Sequence, residues 1–165
     1  MLYISGINYE SIADAEGVVC TIFISGCRHF CKGCYSKDTW DFKNGKPLTN
    51  ELIRQMNNEI AKRPFLSGIA LSGGDPMYSP IEVHKMLSKL IIPNNNIWCY
   101  TGFLFEEICD DEDKKILLND CNVIIDGKFE LQKRDVSLNF RGSSNQRIWR
   151  KNIFGVWTQD KEELA

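Results

Sequence analysis

Three of the chain's seven cysteines stand within eight positions, in the run Cys27-Arg28-His29-Phe30-Cys31-Lys32-Gly33-Cys34. This C-x3-C-x2-C spacing puts three thiols on one short loop, where they can serve a common metal centre. A structural zinc takes four protein ligands, usually as two separated C-x2-C pairs. No second pair exists, because Cys20, Cys99, Cys109 and Cys121 each stand alone. A ferredoxin cubane also takes four cysteines. Three ligands on a four-iron cubane leave one iron open, and catalysis requires an open position. A zinc loop completed by His29, or a chance group of buried thiols, are the competing explanations. In a reducing compartment such a group reads as metal ligands before it reads as disulfides.

Two glycine-bearing runs can bring a ligand to the main chain. Ser72-Gly73-Gly74-Asp75-Pro76 carries two residues without side chains, which permit close backbone approach. An ordinary strand-to-helix turn would use the same residues. Asp126-Gly127-Lys128 is built on a common turn dipeptide, so a plain loop rivals a functional one. Thr101 and Gly102 close the run that starts at Trp98. Arg141-Gly142-Ser143-Ser144-Asn145-Gln146-Arg147 offers hydroxyls and amides to a ribose, to a partner's backbone or to solvent.

These residues need elements to hold them. Val18, Val19, Ile22 and Ile24 mark a buried strand that runs straight into the cysteine loop. Short strands are expected over 68–71, 97–101 and 123–125, with a last one near 153–157. Leu52, Ile53, Met56 and Ile60 recur at helical spacing behind Thr49 as N-cap, with Leu48 as a staple residue. A second helix is expected over 80–90, with Pro80 in its first turn, and a weak one over 105–119 broken by Asp110-Asp111-Glu112-Asp113. Strands alternating with helices give βαβ units and a mainly parallel α/β sheet. Four or five strands are too few for an eight-stranded barrel, so an open, partial β/α barrel is expected. The polar motifs follow the strands, at the ends where parallel α/β folds bind ligands.

The 165 residues allow one domain, spanning 1–165, with the cluster loop at 25–36. A net charge of -2 argues against a general nucleic-acid footprint. No apolar stretch approaches the roughly 20 residues of a membrane span, and residues 1–8 lack a signal-peptide pattern, so a cytoplasmic protein is expected.

The cysteine spacing is similar to that of the radical S-adenosylmethionine superfamily. Further motifs in the same order along residues 18–147 narrow the likeness. The chain there resembles the activating proteins of anaerobic ribonucleoside-triphosphate reductase. The resemblance implies a compact partial barrel of radical-SAM type, with a [4Fe-4S] cluster on Cys27, Cys31 and Cys34. It implies S-adenosylmethionine beside Gly33, Cys34, Tyr35, Ser72, Gly73, Gly74, Asp75, Thr101, Asp126 and Lys128. Where the family often has an aromatic residue before the third cysteine, this chain has Gly33, which leaves adenine packing to Tyr35. Asp75 stands where the family's acid contacts the methionine amino group, and Lys128 where a lysine faces the carboxylate.

The implied reaction is reductive cleavage of S-adenosylmethionine and hydrogen abstraction from a glycine of the reductase. Its implied partners are a one-electron donor such as flavodoxin and the large reductase subunit, as a homodimer or a heterotetramer with it. The tail at 148–165 is a candidate partner contact, although core packing suits Trp149 and Trp157 better. Such chemistry needs no side-chain general base, in keeping with two histidines and no G-x-S-x-G or P-loop motif. An activator of another glycyl-radical enzyme, or a small-molecule enzyme of the superfamily, is the nearest rival. A non-enzymatic electron carrier or zinc adaptor is the rival from another class, and it would tolerate changes at Gly73 and Gly74.

Overall fold

The computed structural model describes residues 1–161. Eight strands form one sheet: β1 (Tyr3–Ser11), β2 (Val19–Ile24), β3 (Lys46–Pro47), β4 (Gly68–Gly73), β5 (Ile97–Tyr100), β6 (Val123–Asp126), β7 (Arg147–Lys151) and β8 (Trp157–Gln159). Their spatial order is β3-β1-β2-β4-β5-β6-β7-β8. The central four, β2, β4, β5 and β6, are parallel. The flanking strands pair antiparallel on both sides. Four helices complete the fold: α1 (Asn50–Ala61), α2 (Pro80–Leu87), α3 (Phe105–Cys109) and α4 (Glu112–Asp120).

The period-2 alternation of strand side chains divides the core into two layers. Cys20, Ile22, Ile24, Ile69, Leu71, Cys99 and Ile124 face one side and meet residues from all four helices, among them Met56, Met86, Ile108 and Leu117. Val19, Ala70, Trp98, Val123 and Ile125 face the other side, under Ala15, Phe140 and Ile148. The helices therefore lie on a single face. The apolar run of β2 serves both layers, and for that reason it reads as continuous rather than alternating.

Thr49 caps α1 as expected, its hydroxyl accepting from Leu52 N at 3.1 Å. The acidic break separates α3 from α4, and Asp111 caps the second through Lys114 N at 3.0 Å. Other boundaries differ from the sequence expectation. α2 ends at Leu87 rather than at 90, and β4 runs on to include Ser72 and Gly73. β1 carries glycine and polar residues that mask it locally, and its pairing with β2 makes it a strand. Of the strand expected at 153–157 only Trp157 lies in a strand, as the first residue of β8. Residues 153–156 form the turn of the β7–β8 hairpin, with Asn152 N donating to Val156 O at 2.9 Å. Ile153 and Phe154 there are 94% and 84% exposed, so their apolar character does not report burial. Trp149 and Trp157 pack against the core, Trp149 stacked on Phe105 at 4.2 Å. Of the tail expected to contact a partner, 162–165 lie outside the described residues.

Among the described residues no helix is long and apolar enough to cross a membrane. Leu71 lies fully buried at the centre of the sheet. Leu71→Ala is expected to cost about 2–5 kcal/mol, read as a drop in urea midpoint with unchanged slope. A loss below about 1 kcal/mol would show that this layer is not tightly packed.

Candidate metal centre

The cysteine loop leaves the C-terminal end of β2, and the motifs after β4, β5 and β6 gather at the same end of the sheet. Cys27 is buried, while Cys31 and Cys34 are half-buried. Main-chain bonds shape the loop: Cys27 N donates to Trp40 O at 3.1 Å and Cys34 N to Cys31 O at 3.1 Å. Burial pushes the Cys27 thiol up to about 11, and the negative charge of Asp75 and the neighbouring cysteines adds to it. The Cys31 thiol is raised mainly by burial, against the lowering pull of the Phe129 main chain and the Lys128 ammonium. Without a metal, burial thus favours neutral thiols at Cys27 and Cys31, and a bound metal cation would favour their thiolates.

His29 does not complete a zinc site. Its Nε2 lies 2.6 Å from Asp75 Oδ2, with both side chains almost wholly buried. Among the described residues no group of three or more His, Cys, Asp or Glu side chains could hold a single metal ion. A cubane sets a different condition, since each thiolate takes its own iron and the ligands need not meet at one point. Three unpaired cysteines on one loop at the strand ends fit that donor set.

Asp75 begins the turn after β4 and is 1% exposed. Oδ1 accepts from Met77 N at 2.9 Å. Oδ2 accepts from Thr101 Oγ1 at 3.0 Å and Gly102 N at 2.9 Å, besides the His29 ring. The expected contact of Asp75 with a cofactor amine thus meets a carboxylate already surrounded by protein donors. Thr101 is similarly engaged, its hydroxyl also accepting from Phe103 N at 3.1 Å.

Gly73 and Gly74 are required by the backbone itself. Gly73 has φ +102, and a Cβ there would lie 2.6 Å from Ile24 N and O. A Cβ on Gly74 would meet Gly26 O at 2.6 Å and Thr39 O at 2.7 Å. Gly74 N donates to Ile24 O at 2.7 Å, and Asp75 N to Gly26 O at 2.9 Å. Tolerance of substitution at these glycines therefore cannot separate an enzyme from an adaptor, because packing forbids side chains in either case.

Asp126 ends β6, fully buried, and accepts from Phe105 N at 2.7 Å. Arg147 bridges it to Glu106, reaching Asp126 Oδ2 at 2.5 Å and both Glu106 oxygens at 2.9 and 2.7 Å. The polar run at 141–147 turns inward: Asn145 Nδ2 donates to Lys128 O at 2.7 Å and Gln146 Nε2 to Gly127 O at 2.9 Å. Those amides hold the 126–128 turn. Lys128 itself is exposed, beside Cys31. Tyr35 is 73% exposed and carries Arg134 over its ring at 5.0 Å, with Phe129 at 6.2 Å. Gly33 packs near Leu131.

The structure thus brings Gly33, Tyr35 and Lys128 to the open rim with the cysteines, and Ser72 and Gly73 to the last positions of β4. Asp75, Thr101 and Asp126 are buried and hydrogen-bonded within the protein. Sequence reasoning passed over His29 as a supporting residue and Arg147 as the partner of Asp126. The only sequence signal for either was a polar residue type inside a motif.

A family model described as a 4Fe-4S single cluster domain matches residues 13–149. Several similar proteins carry the name anaerobic ribonucleoside-triphosphate reductase-activating protein. The one from Enterobacteria phage T4 is 36% identical over 162 residues, covering 93% of this chain and 99% of its own length. That of Haemophilus influenzae is 38% identical over 145 residues, covering 84% and 92%. That of Escherichia coli K12 is 38% identical over 145 residues, covering 83% and 91%.

Gly74→Ala is expected to lower the yield of folded, soluble chain before any metal is added, seen by circular dichroism of the metal-free protein. A parental spectrum and melting point would refute the close backbone approach. A second expectation concerns pH. Arg147 holds the Glu106 carboxyl below its ordinary 4.5, so this pairing stabilises the fold above that pH and is lost as pH falls. The Glu106 side chain is 59% exposed, so solvent and salt screen the effect. Glu106→Gln should therefore lower the urea midpoint modestly at neutral pH, and the difference should shrink as pH falls below 4.5. A difference that persists or grows in acid would contradict the assignment.

Proposed function

The chain belongs to the anaerobic ribonucleoside-triphosphate reductase-activating proteins, and from this premise we propose that it installs a glycyl radical on such a reductase by radical S-adenosylmethionine chemistry. The single observation that carries the reading is the three-cysteine loop at the ends of the parallel strands, within a matched 4Fe-4S single cluster domain. Cys27, Cys31 and Cys34 hold a [4Fe-4S] cluster through three of its irons. When bound there, the cluster and S-adenosylmethionine would supply the one-electron chemistry needed to take a hydrogen atom from a glycine Cα.

The protein's own share is binding, orientation and exclusion of water. Gly33, Cys34, Ser72, Gly73 and Gly74 stand at the same strand ends, where main-chain groups can meet a ligand. Tyr35 offers an aromatic face, and Lys128 a positive charge for a carboxylate. Asp126 sets the turn that presents Lys128, through Arg147 and the main chain of Phe105. The rim is open, and Phe30 and Tyr35 are 61% and 73% exposed there. Such a rim suits a macromolecular substrate that covers the site itself.

The remaining parts of the reading go with this one. The fold is read as a partial, open β/α barrel within a single domain. A one-electron donor of the flavodoxin class reduces the cluster in the cytosol. The chain works as a homodimer or in a heterotetramer with the reductase.

Anaerobic reconstitution with iron and sulfide should give a four-iron absorption that Cys27→Ser, Cys31→Ser or Cys34→Ser each abolishes. Reduction with S-adenosylmethionine present should release 5′-deoxyadenosine, and addition of the reductase should produce a glycyl radical in the electron paramagnetic resonance spectrum. Absence of cluster or of 5′-deoxyadenosine sinks the proposal. Release of 5′-deoxyadenosine without a radical on the reductase transfers it to another substrate.

A further inference from the structure

Within the loop, His29 alone turns its ring inward between the ligand cysteines. It stands two residues after Cys27 and two before Cys31, and its side chain is 4% exposed. Its neighbours point outward: Arg28 is exposed and stacks over Phe42 at 5.1 Å, and Phe30 is 61% exposed. The ring packs between Tyr78 at 5.0 Å and Phe103 at 4.6 Å. Gly102 makes the space for it, since a Cβ there would lie 2.5 Å from His29 Cδ2 and 2.7 Å from Nε2. Nε2 then meets Asp75 Oδ2 at 2.6 Å. A carboxylate only accepts, so the ring nitrogen is the donor.

Asp75 in turn receives Met77 N, Thr101 Oγ1 and Gly102 N. Three donors on one oxygen and one on the other leave little acceptor capacity, and at 1% exposure that remainder has no path to a ligand. We propose that His29 and Asp75 are a positioning pair, which holds the cysteine loop against the ends of β4 and β5 in the shape the cluster requires. Asp75 acts through His29 and not on the amino group of S-adenosylmethionine. The pair deepens the radical S-adenosylmethionine reading and rests on it for the identity of what the loop holds.

A cluster-independent test comes first. The metal-free chain is pulsed with iodoacetamide and the cysteines are mapped by mass spectrometry. Cys27, 8% exposed, should alkylate slowly in the parent, and His29→Ala should raise its rate about tenfold, the effect of losing one charge-assisted hydrogen bond. His29→Gln, whose amide can place a donor where Nε2 stood, should restore the slow rate. Cys20, Cys99 and Cys121 are fully buried in the core and act as internal reporters. They should stay protected in every variant.

In the loaded protein, Asp75→Asn should alter the electron paramagnetic resonance signature of the reduced cluster. It should leave S-adenosylmethionine affinity, by equilibrium dialysis, within about twofold of the parent. A parental Cys27 rate in both His29→Ala and Asp75→Asn overturns the pair, as does exposure of the three core cysteines together with Cys27. A loss of S-adenosylmethionine affinity of about tenfold with an unchanged cluster signature returns Asp75 to direct contact. The alkylation arm decides the pair even where no cluster forms, so its failure is distinct from failure of the proposed function.

Discussion

One buried carboxylate ties the site together. Asp75 takes hydrogen bonds from the cysteine loop, from the end of β5 and from its own turn, while its main chain bonds Gly26 at the end of β2. Hydrogen bonds to a charged acceptor are worth about 1.5–3 kcal/mol each, and a buried charge with fewer donors would be costly. The local main chain is therefore bound to one arrangement, in which the ends of β2, β4 and β5 meet. The glycines at 73, 74 and 102 are consequences of this meeting, because each stands where another atom already occupies the place of a Cβ.

The β6 side of the site is built on the same plan, with an arginine in place of the imidazole. Arg147 crosses from β7 to the buried Asp126 and ends at Glu106 on α3. Asp126 is fully buried, and the guanidinium supplies the opposite charge directly beside it. The 141–146 loop then bonds the carbonyls of Gly127 and Lys128. Each acid at the strand ends thus has its partners within the protein, whereas Lys128 and Tyr35 are exposed. The division follows from burial: a group saturated with protein donors holds shape, and one at the rim is free to bind.

Much of the scaffold was legible in the residues. β2, β4, β5 and β6 are β-branched or aromatic runs bounded by glycine, proline or polar residues, and the apolar period of α1 and its Thr49 cap are local signals. β1 and the β7–β8 hairpin were not legible. β1 mixes glycine and polar residues with its apolar ones and β7 combines charged with apolar residues, so pairing with β2 and β6 is what makes them strands. The expected strand at 153–157 failed for the complementary reason, that apolar residues at a turn mimic those of a strand without being buried.

The cysteine spacing by itself determined a three-thiol loop, since ligand spacing along eight residues is a property of the chain and needs no folding to read. It also marked the glycine motifs that follow the strands. The tertiary structure decided what those motifs do. His29 and Asp75 are 46 positions apart and Asp126 and Arg147 are 21 apart, so no local pattern couples them. Parallel strands bring distant chain segments to one end of a sheet, and burial there surrounds Asp75 and Asp126 with protein donors. Which polar residues bind and which hold is set by the donors that surround them, and these are assembled only by the fold.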